Sequence, residues 1–278
     1  MTDGVLLVDK PAGVTSHDVV DAERRRTGLK VGHAGTLDPF ATGLLLILLG
    51  RATRAQRFLM ALPKRYETVA RLGFTSSTGD IEGEIAPGRT PPEPLELPTG
   101  RIRQRPLAYS AVRIGGRRAY ALARAGAAVE VPERDVDVHA FELLWRDGER
   151  AAFAIECGSG TYVRSLVADL GDAYCLELRR TRIGPFDVAE HGRFVALGDA
   201  LSFLPAVALE GDDARRARHG VAVAGSAPPR PEPSPADAAP RPTSSALGTV
   251  RLVDADGLIA LAEPRADGTL KPVVGFRG

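Results

Sequence analysis

Cysteine is scarce in this chain of 278 residues: only Cys157 and Cys175, which form no C-x-x-C pair. That excludes a disulfide framework, and both thiols read as buried and idle. Outside one loop the histidines are equally thin, His139, His191 and His219 being scattered with no metal-ligand spacing, so no metal is expected. Long hydrophobic runs are missing too. The longest aliphatic stretch, Leu44 to Leu49, is far short of the roughly 20 residues that cross a bilayer. The opening MTDGVLLVDK lacks the basic and apolar regions of a secretion signal. The expectation is a cytoplasmic protein without membrane contact. Neither G-x-G-x-x-G nor a P-loop occurs, which disfavours a nucleotide cofactor, and no solenoid period is visible.

An excess of one charge is also lacking, since 36 basic residues face 35 acidic ones for a net charge of +1. Their distribution is uneven. From Arg101 to Arg124 there are seven arginines (101, 103, 105, 113, 117, 118 and 124) and no acid. From Arg51 to Arg71 six basic residues face the single acid Glu67. Such runs are either solvated faces balanced by distant acids or the clustered guanidinium groups that a phosphate backbone needs.

With 44% hydrophobic and 26% charged residues, the composition is that of a globular protein, and the length suits about two domains. Short alternating stretches mixed with short amphipathic ones predict an α+β fold. Helices are predicted over Thr53 to Leu62 and Tyr162 to Leu170, and strands over Tyr66 to Phe74, Val136 to Trp145 and Ala151 to Cys157. Asp147 and Gly148 read as a hairpin turn, and Gly115–Gly116 as a turn inside the arginine-rich segment, with a short helix over Arg118 to Arg124. Thr15 or Ser16 should cap a helix; with His17 and Asp18 beside it, Ser16 cannot form a triad. From Gly225 to Ala246 seven of 22 residues are proline, a composition that packs no core. This loop, 225–246, should interrupt a small β-rich module that starts near Val207 and continues in a hairpin from Thr249 to Ala262.

The stretch with most chemical content is GHAGTLDPFATG, Gly32 to Gly43. Three glycines and a proline force a contorted backbone around His33 and Asp38. Taken alone, an Asp before Pro is usually a turn former.

The residues Gly32 to Pro39 match the G-H-x-G-x-L-D-P loop of the bacterial tRNA pseudouridine-55 synthases of the TruB type, and here the chain resembles that family. KPAGVTSHD (Lys10 to Asp18), KRYETVARLG (Lys64 to Gly73), CGSGTYVRSLVADLG (Cys157 to Gly171) and LRRTRIGPF (Leu178 to Phe186) resemble the family's other motifs in the same order. The resemblance implies isomerisation of the T-loop uridine of tRNA to pseudouridine, without cofactor or metal. It implies Asp38 as nucleophile and Arg164 as its cationic partner. Tyr66 would stack on the target base and help remove the carbon-5 proton. Tyr162 and Leu178 would line the uridine pocket, and His33 would hold the flipped RNA conformation.

Gln104 to Gly126 resembles the family's RNA-gripping thumb, with Arg113, Arg117 and Arg118 as RNA contacts. It departs at Leu107, where a second proline is usual, and at Arg113, where lysine is common. The proline-rich stretch Ala86 to Pro98 stands where relatives carry a helix, which predicts a shortened thumb over 86–126. The resemblance implies an α+β pseudouridine synthase domain, 1–205, with a mixed, mostly antiparallel sheet, flanking helices and a central cleft, and a small β-rich PUA-like module, 206–278. The expected partner is the tRNA T-arm, bound by a monomer. Two rivals stand beside this reading: a related synthase acting on other RNA, and a non-catalytic RNA-binding or tRNA-folding factor.

Overall fold

The computed structural model describes residues 3–110, 112–127, 129–225 and 248–277, with the side chain of Arg113 also outside the description. The proline-rich stretch 225–246 therefore lies, apart from Gly225, outside the described residues.

The chain runs through β1 (Gly4–Lys10), α1 (Ser16–Thr27), β2 (Val31–Ala34), β3 (Thr42–Leu49), α2 (Gln56–Met60), β4 (Lys64–Leu72), β5 (Phe74–Ser76), β6 (Ile85–Pro87) and β7 (Gly100–Gln104). A short hairpin, β8 (Arg113–Ile114) and β9 (Arg117–Arg118), leads into α3 (Ala119–Arg124). Next come β10 (Arg134–Asp147), β11 (Arg150–Cys157), α4 (Val163–Ala168), β12 (Ala173–Ile183), β13 (Phe186–Asp187), β14 (Phe194–Ala196) and α5 (Leu197–Ala200). The last elements are β15 (Ala206–Ala208), α6 (Gly211–Arg218), β16 (Val223–Ala224), β17 (Val250–Asp254), β18 (Gly257–Pro264) and β19 (Thr269–Gly275).

A ten-stranded mixed sheet carries most of this, in the order β14-β1-β3-β12-β4-β11-β10-β7, with β2 paired to β3 and β13 to β12. The contact of β3 with β12 is parallel; the other pairings in this sheet are antiparallel. The apolar run in β3 is explained by burial on both faces. Leu44, Leu46 and Leu48 join one core with Phe58 and Leu59 of α2, while Leu45, Ile47 and Leu49 join another with Val20 of α1. On β4 the buried residues alternate, Tyr66, Thr68, Ala70 and Leu72 pointing one way, and Leu166 and Val167 of α4 pack on that face.

The hairpin turn after Asp147 and the Gly115–Gly116 turn form where the sequence predicts them. Both predicted helices are shorter. The first opens as a 3-10 turn over Gly50–Ala55 and is α-helical only over Gln56–Met60, although Ala55, Phe58, Leu59 and Leu62 are all buried as the spacing requires. The second starts at Val163 because the Tyr162 backbone is tied extended by the Gln104 side chain, which accepts from its N–H (2.9 Å) and donates to its carbonyl (3.0 Å). Thr15, not Ser16, caps α1, in a capping box with Asp18.

Strands β15 to β19 form a second, five-stranded sheet in the order β15-β17-β18-β19-β16, covered by α6. It packs on the first through Leu261 and Phe276 against Leu197 and Leu201. Arg51 donates to the Phe276 carbonyl (2.5 Å), Arg54 to the Gly275 carbonyl (2.7 Å), and Arg57 pairs with Glu263 (3.2 Å). These arginines of the first basic run hold the two sheets together. Among the described residues no helix is long and apolar enough to cross a membrane.

Candidate active site

The loop carrying Asp38 is fixed from three sides. The opening motif supplies two of them. The Leu37 N–H donates to Ser16 Oγ (2.9 Å) and the Ser16 hydroxyl donates back to the Leu37 carbonyl (3.2 Å), while the Gly13 N–H (2.9 Å) and Lys10 Nζ (3.2 Å) both donate to the Pro39 carbonyl. The third is β12, whose fully buried Arg180 donates to the carbonyls of Gly35 (3.0 Å) and Leu44 (2.8 Å). Gly43 makes the close approach of β3 to β12 possible: its φ is +104°, and a Cβ there would fall 2.2 Å from the Arg180 carbonyl oxygen.

Arg164 reaches this loop from α4. Its Nε lies 2.9 Å from Asp38 Oδ2 and its Nη1 3.0 Å from Asp80 Oδ2, so one guanidinium bridges two carboxylates. It also donates to the carbonyls of Thr78 and Tyr109 (2.9 Å for the latter). The Arg164 and Asp80 side chains are buried, with 6% and 4% exposed, whereas Asp38 keeps 37% accessible. Asp38 is therefore the member of the network that a ligand can touch. Ringed by protein atoms, it still feels burial most: desolvation raises its pKa above the usual carboxylate value, Arg164 pulls it down, Asp80 pushes it up, and Lys10 pulls it down.

Asp38, Tyr66, Tyr162, Arg164 and Leu178 line one cavity of about 260 Å³, joined there by Lys64 and Arg180. That is below the roughly 300–1,000 Å³ of a drug-sized ligand site and suits a single nucleotide. Tyr66 is buried on β4, and desolvation raises its phenol pKa despite the Arg180 charge and hydrogen bond that lower it. The Tyr162 ring lies 5.3 Å from the Arg134 guanidinium.

His33 is not in this lining. It sits on β2, edge-on to His17 at 5.5 Å, and His17 lines a larger cavity of about 820 Å³ that shares Asp38 and Arg164 with the first. Burial, then the charges of His17 and Arg180, bring its pKa down to about 4, and its Nδ1 has no hydrogen-bond partner. A neutral imidazole at pH 7 suits contact with RNA rather than proton transfer.

The basic run from Arg101 to Arg124 divides in two. Arg101 pairs with Asp135 (2.8 Å), Arg103 with Glu133 (2.7 Å) and Arg105 with Glu133 (3.2 Å), which is the balanced surface face of the two readings. Arg118 and Arg124 instead line the larger cavity, and Arg117 is exposed. Among the described residues these three form no ion pair. Arg113 contributes its backbone to β8.

Sequence reasoning missed Asp80, Lys10, Lys64, Arg180 and Gln104 as parts of the site. Lys10, Lys64 and Arg180 stand inside the motifs quoted above and Gln104 opens the thumb segment, so attention to each motif's remaining polar residues finds them. Asp80 carries only a weak local signal, a carboxylate after Thr78 and Gly79. Leu107 Cδ1 would be 2.3 Å from a Cβ at Gly79, whose φ is +74°.

The model of the TruB family pseudouridylate synthase N-terminal domain matches residues 23–163. The chain is 40% identical over 312 residues to tRNA pseudouridine synthase B of Thermobifida fusca (strain YX), covering 100% of both chains. It is 45% identical over 224 residues to the protein of that name from Leifsonia xyli subsp. xyli (strain CTCB07), covering 73% of this chain and 74% of that one. Among solved structures, a chain of an H/ACA RNP bound to a substrate RNA containing 2′-deoxyuridine is similar in fold over 99% of this chain and 85% of that one, with TM-score 0.68 at 23% identity. A chain of a Cbf5-Nop10-Gar1 complex is similar over 94% of this chain and 78% of that one, with TM-score 0.65 at 28% identity.

Proposed function

The chain belongs to the TruB family of pseudouridylate synthases and isomerises uridine to pseudouridine in tRNA, and on that premise we propose that its target is the T-loop uridine at position 55 and its nucleophile Asp38. The observation that carries the nucleophile is the shared cavity, in which the accessible carboxylate of Asp38 faces Tyr66, Tyr162 and Leu178 with Arg164 Nε at 2.9 Å. The T-loop assignment is supported by the match of Gly32 to Pro39 to the position-55 synthases.

The reaction needs a nucleophile, a base pocket and a proton carrier. Asp38, whose ionised form Arg164 and Lys10 favour against its burial, attacks the ribose as the bond from C1′ to uracil N1 breaks. The freed uracil turns in the cavity and rejoins C1′ through C5, displacing the Asp38 carboxylate, whose bond to C1′ breaks. Reaching the cavity requires flipping the nucleotide out of its loop, at roughly a few kcal/mol. Stacking on Tyr66 returns about 1–3 kcal/mol. The neutral His33 and the cavity that His17 lines receive the neighbouring nucleotides, and Arg113, Arg117 and Arg118 contact phosphates of the T-arm. One chain acts as a monomer, because a folded tRNA needs one large open face.

The experiment is carbodiimide mapping of pseudouridine in unmodified tRNA and ribosomal RNA transcripts after incubation with the chain alone. Modification at the T-loop uridine without added cofactor is expected. A product confined to another RNA, or to another tRNA loop, would displace the position assignment.

A further inference from the structure

Of the chain's four lysines, two are buried, Lys10 and Lys64, and their surroundings differ. Lys10 Nζ has three carbonyl acceptors, Pro11 (2.9 Å), Val14 (2.8 Å) and Pro39 (3.2 Å), one for each proton of an ammonium group. Burial lowers its pKa from the ordinary lysine value, and the charge of Asp38 pulls it back up. Lys64 Nζ has only two, the carbonyls of Met60 and Leu62 (2.5 Å for the latter), and among the described residues it pairs with no carboxylate. What faces it is Arg180 from β12 and the Cys157 thiol from β11, with Tyr66 on the same side of β4. Asp38 and Arg164 complete the charged lining of the cavity they share.

An ammonium group at Lys64 would bury one N–H without an acceptor, beside a guanidinium, and an unpaired buried charge is costly. A neutral amine has two N–H donors, both used here, and a lone pair left over. Burial, followed by the Arg180 charge, brings this lysine down to about 7, so at neutral pH much of it is the free amine. Tyr66 is poorly suited to the same task, because burial keeps its phenol protonated.

We infer that Lys64 is the proton carrier of the isomerisation, its amine taking the proton from uracil C5 and delivering it to N1. This completes the reaction proposed above and rests on it. Once C5 has bonded to C1′, C5 is tetrahedral and still holds its hydrogen, and the ring has a double bond between N1 and C6. The amine takes that proton. The C5–H pair becomes the bond between C5 and C6, the pair of the N1=C6 bond moves onto N1, and N1 takes the proton back from the ammonium. No proton is gained or lost overall and no co-reactant is needed.

The test is Lys64→Gln, whose amide supplies two N–H donors for the Met60 and Leu62 carbonyls but no base. Single-turnover rates are measured across neutral pH on tRNA carrying hydrogen or deuterium at uridine C5. The wild-type rate should rise with pH through a midpoint near 7. The variant should be slower by about 10²-fold or more, should lose that midpoint, and should be slowed further by deuterium. Lys64→Ala with added ethylamine provides a second variant, and recovery should follow the concentration of neutral amine. A Lys64→Gln enzyme with wild-type rate and pH profile overturns the inference, as does a folded Lys64→Ala enzyme that ethylamine does not rescue. Asp38→Asn should be inactive at every pH and unresponsive to amine. An inactive wild type would overturn the proposed function itself, whereas an active wild type with an unaltered Lys64→Gln variant removes only the proton carrier.

Discussion

The two sheets bury charge in opposite ways. The ten-stranded sheet and its helices hide Lys10, Lys64, Asp80, Arg164 and Arg180, all beside the loop of Asp38 or the cavity it faces, while among the described residues the only fully buried polar side chain on the five-stranded sheet side is Thr249. That second sheet leaves its arginines part-exposed: Arg218 and Arg277 close over Asp254, whose pKa is held at about 2 chiefly by the Arg277 hydrogen bond. Buried ions cost several kcal/mol each unless well compensated. A fold that hides four ions and a lysine amine beside one loop gives up stability for chemistry, and a sheet that covers only one carboxylate, clamped between two arginines, is built to pack and dock.

The largest effect that would sharpen this contrast is at Arg164. Replacing it by Met leaves Asp38 and Asp80 facing each other without a cation, which should cost about 3–5 kcal/mol in urea unfolding and abolish turnover. A loss below about 1 kcal/mol would break the comparison, because that is what a surface pair gives. Next comes acid sensitivity. The His33 pKa is about 4 in the folded chain against 6.5 ordinarily, so between those values the unfolded chain binds a proton the folded one refuses, and stability is lost as pH falls through the window. In His33→Asn the melting temperature should fall less between pH 7 and 4; an equally steep fall would assign the sensitivity elsewhere.

A smaller effect divides the arginine-rich segment. Alanine at Arg113, Arg117 and Arg118 should weaken tRNA binding and flatten its salt dependence by about 0.7–0.9 in logarithmic slope for each phosphate no longer neutralised. Alanine at Arg101 and Arg103, whose charges Asp135 and Glu133 already balance, should change that slope less. Equal slopes in the two sets would erase the division. The smallest effect lies in the five-stranded sheet, where Arg251 donates to the carbonyls of Leu204 (2.9 Å) and Gly198 (3.3 Å). Arg251→Met should cost about 1 kcal/mol and leave the pseudouridine yield unchanged.

Much of the site was legible because its chemistry is concentrated in short motifs. The Gly32 to Gly43 loop, the strand bearing Tyr66 and the helix bearing Arg164 each announce themselves through glycine spacing or periodicity, and they meet at one cavity. Asp80 did not, because its role exists only through Arg164, 84 positions away. Lys64 opens a strand, where a lysine usually reaches solvent; two carbonyls at the end of α2 turn it inward. The first basic run is suited to phosphate by charge alone, yet Arg51 and Arg57 find partners 225 and 206 residues on, at Phe276 and Glu263. Charge runs state how many cations are present, and only the tertiary fold decides which of them stay unpaired.

The most direct measurement compares wild type with Asp38→Asn on one tRNA transcript, recording bound RNA by filter retention and pseudouridine by carbodiimide mapping in the same samples. Asn keeps the side-chain shape and leaves Arg164 paired with Asp80, so binding should match wild type while no pseudouridine forms. Turnover by the Asn variant at the wild-type rate would contradict a nucleophilic Asp38.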